Sequence, residues 1–366
     1  HASGSRRHAW GKVRGMTALS STNLYREIHE QPEVIARVLQ TQHAAIASLA
    51  DAIRARGVTH VVIAARGTSD NAARYAQYAL GARNRLLVGL ATPSLLTVYG
   101  ARPRFAGALV VGISQSGASP DIVSVVAEAR RQGALTAVLT NNVASDLARE
   151  GDVVIDLSAG EEKAVAATKT YTTSLAAIAQ LSAALRDDRD EAEAAVQAVP
   201  GAVRAVLAGA AGVVEAAAHF VEMDRSVVIG RGFNYATAFE MALKLKELTY
   251  TIVEPYSSAD FLHGPLAMME EGFPAIVVAP TGKMLEEMRQ LIRTLRERGA
   301  DVACVSDDEE ALALAQTPFR VPAALPEWLS PLTHIVPGQV LAMGLAAARG
   351  PDVDAPRGIR KVTKTR

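Results

Sequence analysis

The chain has 366 residues, enough for two domains. It is 49% hydrophobic and 21% charged, so it can bury a core, and its formal net charge of +0 lacks the basic excess of nucleic-acid binders. The single cysteine, Cys304, excludes an internal disulfide and a cysteine-built metal cluster, and it fits a cytoplasmic setting.

Residues 1–15, HASGSRRHAWGKVRG, contain neither an initiator Met nor an apolar signal core. They read as a tag remnant, with Met16 as the native start. No apolar run reaches the ~18 residues of a membrane span. The densest helical stretch, LAAIAQLSAAL, is broken by Gln180 and Ser182. A helical lead-in covers about 23–56. Strand-like runs then fall at 60–65, 108–113, 135–139, 226–230, 274–279 and 301–305, and helix-like runs at 70–81, 119–132, 168–186, 234–250 and 283–298. Residues 187–204 read as a bridge and 351–366 as a polar tail. Short apolar runs alternating with longer amphipathic ones imply βαβ units, hence an α/β fold with parallel sheets covered on both faces.

The plan occurs twice. HVVIAARGTSDNAARYAQYAL (60–80) and SVVIGRGFNYATAFEMALKLK (226–246) are each strand, glycine turn and helix. Gly67 aligns with Gly232 at an offset of 165 and Gly133 with Gly299 at 166, which argues for duplication.

Two turns of the first copy carry the chemistry. RGTSDN and SQSGASP both follow a strand and open a helix, where unpaired N–H groups and the helix dipole attract anions. Ser, Thr and Asn cap helices routinely, but two such turns in one copy exceed what capping requires. No Lys or Arg lies inside SQSGASP, so the donors are neutral and suit a small phosphate ester. GxxxxGK[ST] is absent, which excludes a nucleoside-triphosphate loop. The corresponding stretch of the second copy, APTGK, keeps one hydroxyl, so the anion site belongs to the first half. In the second half, Glu240, Lys244 and Glu247 share one helical face. A carboxylate with a lysine one turn away suits proton transfer beside a carbonyl. GRGFNYA has Tyr235 where a dinucleotide fingerprint needs its third small residue, so it gives no NAD site. His263 precedes Gly264-Pro265, and no histidine has metal-ligand spacing. No metal or redox cofactor is called for.

From about residue 24 onward the chain resembles a known family. LYREIHEQPEVI, RGTSDN, SQSGASPD, VAATKTYTTS, ALKLKELTY, HGPLAM and DVDAPRGIRKVT occur in the order found in sugar isomerase (SIS) double-domain proteins. They are most similar to the isomerase half of glutamine–fructose-6-phosphate aminotransferase and its stand-alone deaminase relatives. The resemblance implies an N-terminal helical segment at 16–56, tandem SIS domains at 57–190 and 205–350, and a tail at 351–366 that closes on the site. It implies that Gly67, Thr68, Ser69, Ser114, Gln115, Ser116 and Ser119 cradle a phosphate, and that Val165 offers a backbone contact to sugar hydroxyls. It implies that Glu247 moves a proton between C1 and C2, with Lys244 and Glu240 beside it. His263 would help to open the sugar ring from the neighbouring subunit of a homodimer, and Lys361 would close over the site and could form an imine.

The sequence departs from the family's SQSGET at Ala118, from its ASTK at Ala167, and at Leu262 from the lysine often found before His-Gly-Pro. The aminotransferases also carry a glutaminase domain with an N-terminal cysteine nucleophile. None is expected in this chain, so the resemblance implies the reverse half-reaction: glucosamine 6-phosphate and water to fructose 6-phosphate and ammonia. Galactosamine 6-phosphate, a fructosamine 6-phosphate and a non-catalytic phosphosugar sensor are the alternatives. A small sugar phosphate is the expected partner, with no nucleic acid and no membrane.

Overall fold

The computed structural model describes residues 19–322 and 325–361, so residues 1–15, read from the sequence as a tag remnant, and Met16 lie outside the described residues. Two five-stranded parallel sheets form the frame. The first contains β1 (His60–Ala64), β2 (Leu87–Leu90), β3 (Ala108–Ile113), β4 (Leu135–Thr140) and β5 (Val153–Asp156), in the order β2-β1-β3-β4-β5. The second contains β6 (Arg225–Gly230), β7 (Ile252–Ser257), β8 (Pro274–Val278), β9 (Asp301–Ser306) and β10 (Thr317–Arg320), in the order β10-β9-β8-β6-β7. Read from the other edge, the second order is the first with every strand advanced by five places. Gly67 and Gly232 both take positive φ, 53° and 59°, and so do Arg85 and Tyr250, 58° and 59°, again 165 residues apart. The duplication read from two glycine pairs therefore extends to the whole topology.

The helices sort by burial. After α1 (Asn23–His29), α2 (Gln31–Thr41) and α3 (His43–Ala55) come α4 (Thr68–Asn84), α5 (Pro120–Arg131) and α6 (Lys169–Ala184). They are followed by α7 (Arg189–Gln197), α8 (Val199–Leu207), α9 (Tyr235–Thr249), α10 (Leu285–Glu297) and α11 (Ser330–Arg349). Every residue of α6 is buried, as is α11 from Ser330 to Ala346. With α4 and α9 they fill the space between the sheets, and one apolar cluster runs through both halves. Alanine-rich faces let these helices approach closely. α5 and α10 cover the outer sheet faces over smaller clusters of their own.

The bridge at 187–204 is itself helical. Pro200 sits in the first turn of α8, where a proline starts a helix instead of breaking one. α11 was hidden by Pro331, Pro337 and Gly338. The stretch Glu327–Arg349 is long and apolar enough to cross a membrane, contrary to the sequence reading, but 89% of its apolar window is buried inside the fold. It serves as a core helix.

Candidate active site

The first sheet changes winding direction at β1, since β2 lies on one side of it and β3 on the other. Ligands of open parallel sheets bind outside the carboxyl ends of the strands at such a point. A cavity of about 320 Å³ opens there.

The two hydroxyl turns form one side. Gly67 (φ 53°, ψ −128°) precedes α4 and has no side chain to cap it. Ser119 precedes α5, and its side chain does not cap that helix either. Between them, Gly117 has φ 63°, and a Cβ there would run into the side chain of Ser145. Only glycine fits this bend. Ser114 Oγ accepts from Gly117 N at 3.1 Å, and Ser116 Oγ from Ala118 N at 3.4 Å. Both hydroxyls act as acceptors within the turn, which leaves their protons for a ligand.

Thr68 behaves differently. Its Oγ1 donates to Glu240 Oε1 at 3.1 Å and accepts from Lys244 Nζ at 3.2 Å. Its one hydroxyl proton is committed, so what it offers a phosphate is its backbone N–H. Gly67, Ser69, Ser114, Gln115, Ser116, Ser119, Val165, Glu247 and Lys361 line the cavity together with Thr68.

Glu247 reaches the cavity from α9 across the domain boundary. Lys244 Nζ lies 2.6 Å from Glu247 Oε2 and 3.4 Å from Glu240 Oε1. Lys244 and Glu240 are almost wholly buried, at 1% and 0% side-chain exposure, whereas Glu247 keeps 24%. Asn71 Nδ2 donates to the other oxygen of Glu240 at 2.8 Å. Burial pushes the Glu240 carboxyl up to about 7, against the pull of Lys244. Burial would lower the Lys244 ammonium, but its two carboxylate neighbours outweigh it and hold it above its ordinary value. Lys244 does not line the cavity. Its link to the cavity is its 2.6 Å contact with Glu247 Oε2.

The tail closes the opposite side with Ile359, Arg360 and Lys361. Lys361 Nζ donates to Glu162 Oε2 at 2.7 Å and to Ala164 O at 2.7 Å. In this pair Lys361 is an ordering group, and an imine would require it to leave Glu162. Burial would raise Glu162, but Lys361 and the N–H groups of Thr168 and Thr170 hold it below the ordinary carboxylate value. Val165 N donates to Asp354 O at 3.1 Å, so its carbonyl is the group left for a sugar hydroxyl. The Asp354 carboxylate accepts from the backbone of Asn23 and Leu24, each at 2.8 Å, and fastens the tail to the start of α1.

His263 is not brought into this cavity. It follows the short helix Ser258–Leu262 in the second half and is exposed. Sequence reasoning did not single out Arg66, Thr170, Tyr171, Ser174 or Arg360, which also line the cavity. Arg66 opens RGTSDN, and Thr170, Tyr171 and Ser174 lie within VAATKTYTTS, but nothing local marks which face of α6 meets a ligand.

The SIS domain matches the chain twice, over residues 56–184 and 219–349. Glutamine–fructose-6-phosphate aminotransferase (isomerizing) of Bordetella parapertussis is 33% identical over 92% of this chain, which spans 57% of that protein. Among solved structures, an inferred phosphosugar isomerase from Silicibacter pomeroyi DSS-3 is 35% identical, with TM-score 0.80 over 91% of this chain and 99% of that one. The C-terminal domain of glucosamine-fructose-6-phosphate aminotransferase from Francisella tularensis is 27% identical, with TM-score 0.81 over 92% of this chain and 98% of that one.

Proposed function

Because the chain belongs to the SIS-domain family, we propose that it is a deaminating isomerase of glucosamine 6-phosphate, yielding fructose 6-phosphate and ammonia. The observation that carries this reading is Glu247, a carboxylate at a hexose-phosphate-sized cavity, opposite two hydroxyl turns and braced by a buried lysine. The amino-sugar class rests on likeness to the aminotransferases. The direction rests on chemistry, since deamination needs only water as co-reactant.

In this mechanism the phosphate docks on the turns at Gly67–Ser69 and Ser114–Ser119. In the open-chain aldehyde, Glu247 removes the C2 proton while the C1 oxygen takes one from water, giving an enolamine. Returning that proton to C1 leaves a protonated imine at C2. Water adds at C2, and ammonia leaves with the nitrogen. Lys244, 2.6 Å from Glu247 Oε2, holds that carboxylate oriented for both transfers. Glu240 and Thr68 hold Lys244 in turn.

His263 serves ring opening in a partner's cavity, in a homodimer of this chain. Its exposed position and its exposed apolar neighbours Leu262 and Met268 support this reading.

The decisive assay follows ammonia and fructose 6-phosphate released together from glucosamine 6-phosphate, with the galactosamine and fructosamine phosphates alongside. Equal yields of both products are expected, with activity lost in Glu247→Gln. Full activity in Glu247→Gln would sink the assignment, and binding without turnover would favour a phosphosugar sensor.

A further inference from the structure

The cradle read from SQSGASP has only neutral donors, but the fold brings a cation to it from the turn after the neighbouring strand. Arg66 lies two residues beyond β1, immediately before Gly67, and lines the cavity with the hydroxyl turns. Its Nε donates to Asp121 Oδ2 at 2.9 Å, and its Nη2 lies 2.9 Å from the same oxygen. Asp121 has 0% side-chain exposure and Arg66 has 50%. The other carboxylate oxygen accepts from Ile122 N at 2.9 Å. Asp121 is in the first turn of α5, two residues beyond Ser119. The pair therefore pins the guanidinium to the helix start where the second hydroxyl turn ends.

A guanidinium has five N–H donors in a rigid fork. Asp121 engages the Nε side, which leaves donors on the remaining edge for a second anion. A half-exposed arginine held at a cavity wall by a buried carboxylate is pre-oriented for such an anion at small entropic cost.

The second half gives the contrast. Arg231 occupies the corresponding place before Gly232, yet its Nε is 3.7 Å from Glu287, and the turn beyond it has lost its hydroxyls. Where the cradle is gone, the arginine is not tightly held.

We propose that Arg66 is a phosphate ligand, the cationic member of the cradle, and that Asp121 is its positioning residue. This rests on reading the cavity as a sugar-phosphate site, but its test needs no turnover. Inorganic phosphate is titrated calorimetrically at about pH 6 and pH 8, across the second ionisation of phosphate. The proteins are the wild type, Arg66→Gln, Arg66→Lys and Arg231→Gln. The double variant Arg66→Gln/Asp121→Asn avoids stranding a buried charge.

The wild type should bind the dianion more tightly at the higher pH. Arg66→Gln and the double variant should weaken phosphate about tenfold or more, as expected for loss of a charge-assisted bond, and lose most of that pH gain. Arg66→Lys should recover part of it, and Arg231→Gln should match the wild type. A purely structural arginine would weaken both phosphate forms equally and leave the pH gain intact. That result, or a folded double variant with wild-type phosphate affinity, overturns the proposal. If phosphate binding depends on Arg66 while no amino-sugar phosphate turns over, the proposed activity fails and this assignment stands. If amino-sugar phosphate turns over while phosphate binding is indifferent to Arg66, the activity stands and this assignment fails.

Discussion

Lys244 Nζ lies 2.6 Å from Glu247 Oε2, where a helix of the second half reaches the cavity of the first. The lysine is buried at 1% exposure, and its other carboxylate, Glu240, is buried completely. Removing one member of such a pair leaves charge stranded in the interior. Lys244→Met should cost about 3–5 kcal/mol in stability and lower kcat by tenfold or more, roughly what breaking a buried pair does. The stability loss should shrink below pH 7, because Glu240, already raised to about 7, then takes up a proton and no longer needs the lysine. Urea titrations at several pH values read this, and an unchanged midpoint would contradict the coupling.

Glu27 gives a simpler pH signature. It is buried on α1 and accepts from Lys163 N and Ala164 N. Burial raises it from 4.5 to about 7, with the Glu162 charge adding to the rise. A carboxyl raised in the folded state binds its proton more tightly there than in the unfolded chain. Its contribution is therefore most favourable below 4.5 and is lost as pH rises through 7. Glu27→Gln stays neutral throughout. Its Tm should equal that of the wild type near pH 5 and exceed it at pH 8, and a constant difference would refute the account.

Gly117 and Gly133 differ in a usable way. Both have positive φ, 63° and 79°, but only at Gly117 would a Cβ meet another side chain. Gly133→Ala should cost roughly 1–2 kcal/mol, the strain of a left-handed alanine. Gly117→Ala should cost more and also weaken phosphate binding, because Ser145 or the turn must shift. Thermal melts and phosphate titrations of the two variants separate strain from displacement.

His263 lies outside the cavity that contains Glu247. If each site of a dimer borrows His263 from its partner, inactive Glu247→Gln and inactive His263→Ala proteins should complement. Random exchange of subunits makes half the dimers mixed, and each mixed dimer has one intact site. About a quarter of wild-type activity should return. No recovery after verified subunit exchange would place His263 elsewhere.

Asp354→Ala removes an acceptor shared by the Asn23 and Leu24 amides. The loss should be about 0.5–2 kcal/mol, as for a helix N-cap. Hydrogen exchange should show the Asn23 and Leu24 amides unprotected and the tail loosened together.

The central strands could be read from the sequence because β3 and β4 are buried on both faces and appear as unbroken apolar runs. The edge strands β2, β5, β7 and β10 could not, since only some of their residues are buried. The hydroxyl turns stood out because their composition is unusual for a cap. Arg66 did not, because its meaning depends on Asp121, 55 residues further on. The pairing of Lys361 with Glu162 spans 199 residues, and no local pattern reports it.

The clasp at Asp354 also constrains how the molecule can be made. Asp354 follows Asn23 by 331 residues, so α1 leaves the ribosome with its local cap, Thr22, long before this second clasp exists. During synthesis the Asn23 and Leu24 amides must wait open while both sheets form. The tail that caps it also carries Lys361 to the cavity. Completing the helix and closing the site are therefore one late event, and a nascent chain short of that point would have both sheets but only an unroofed site.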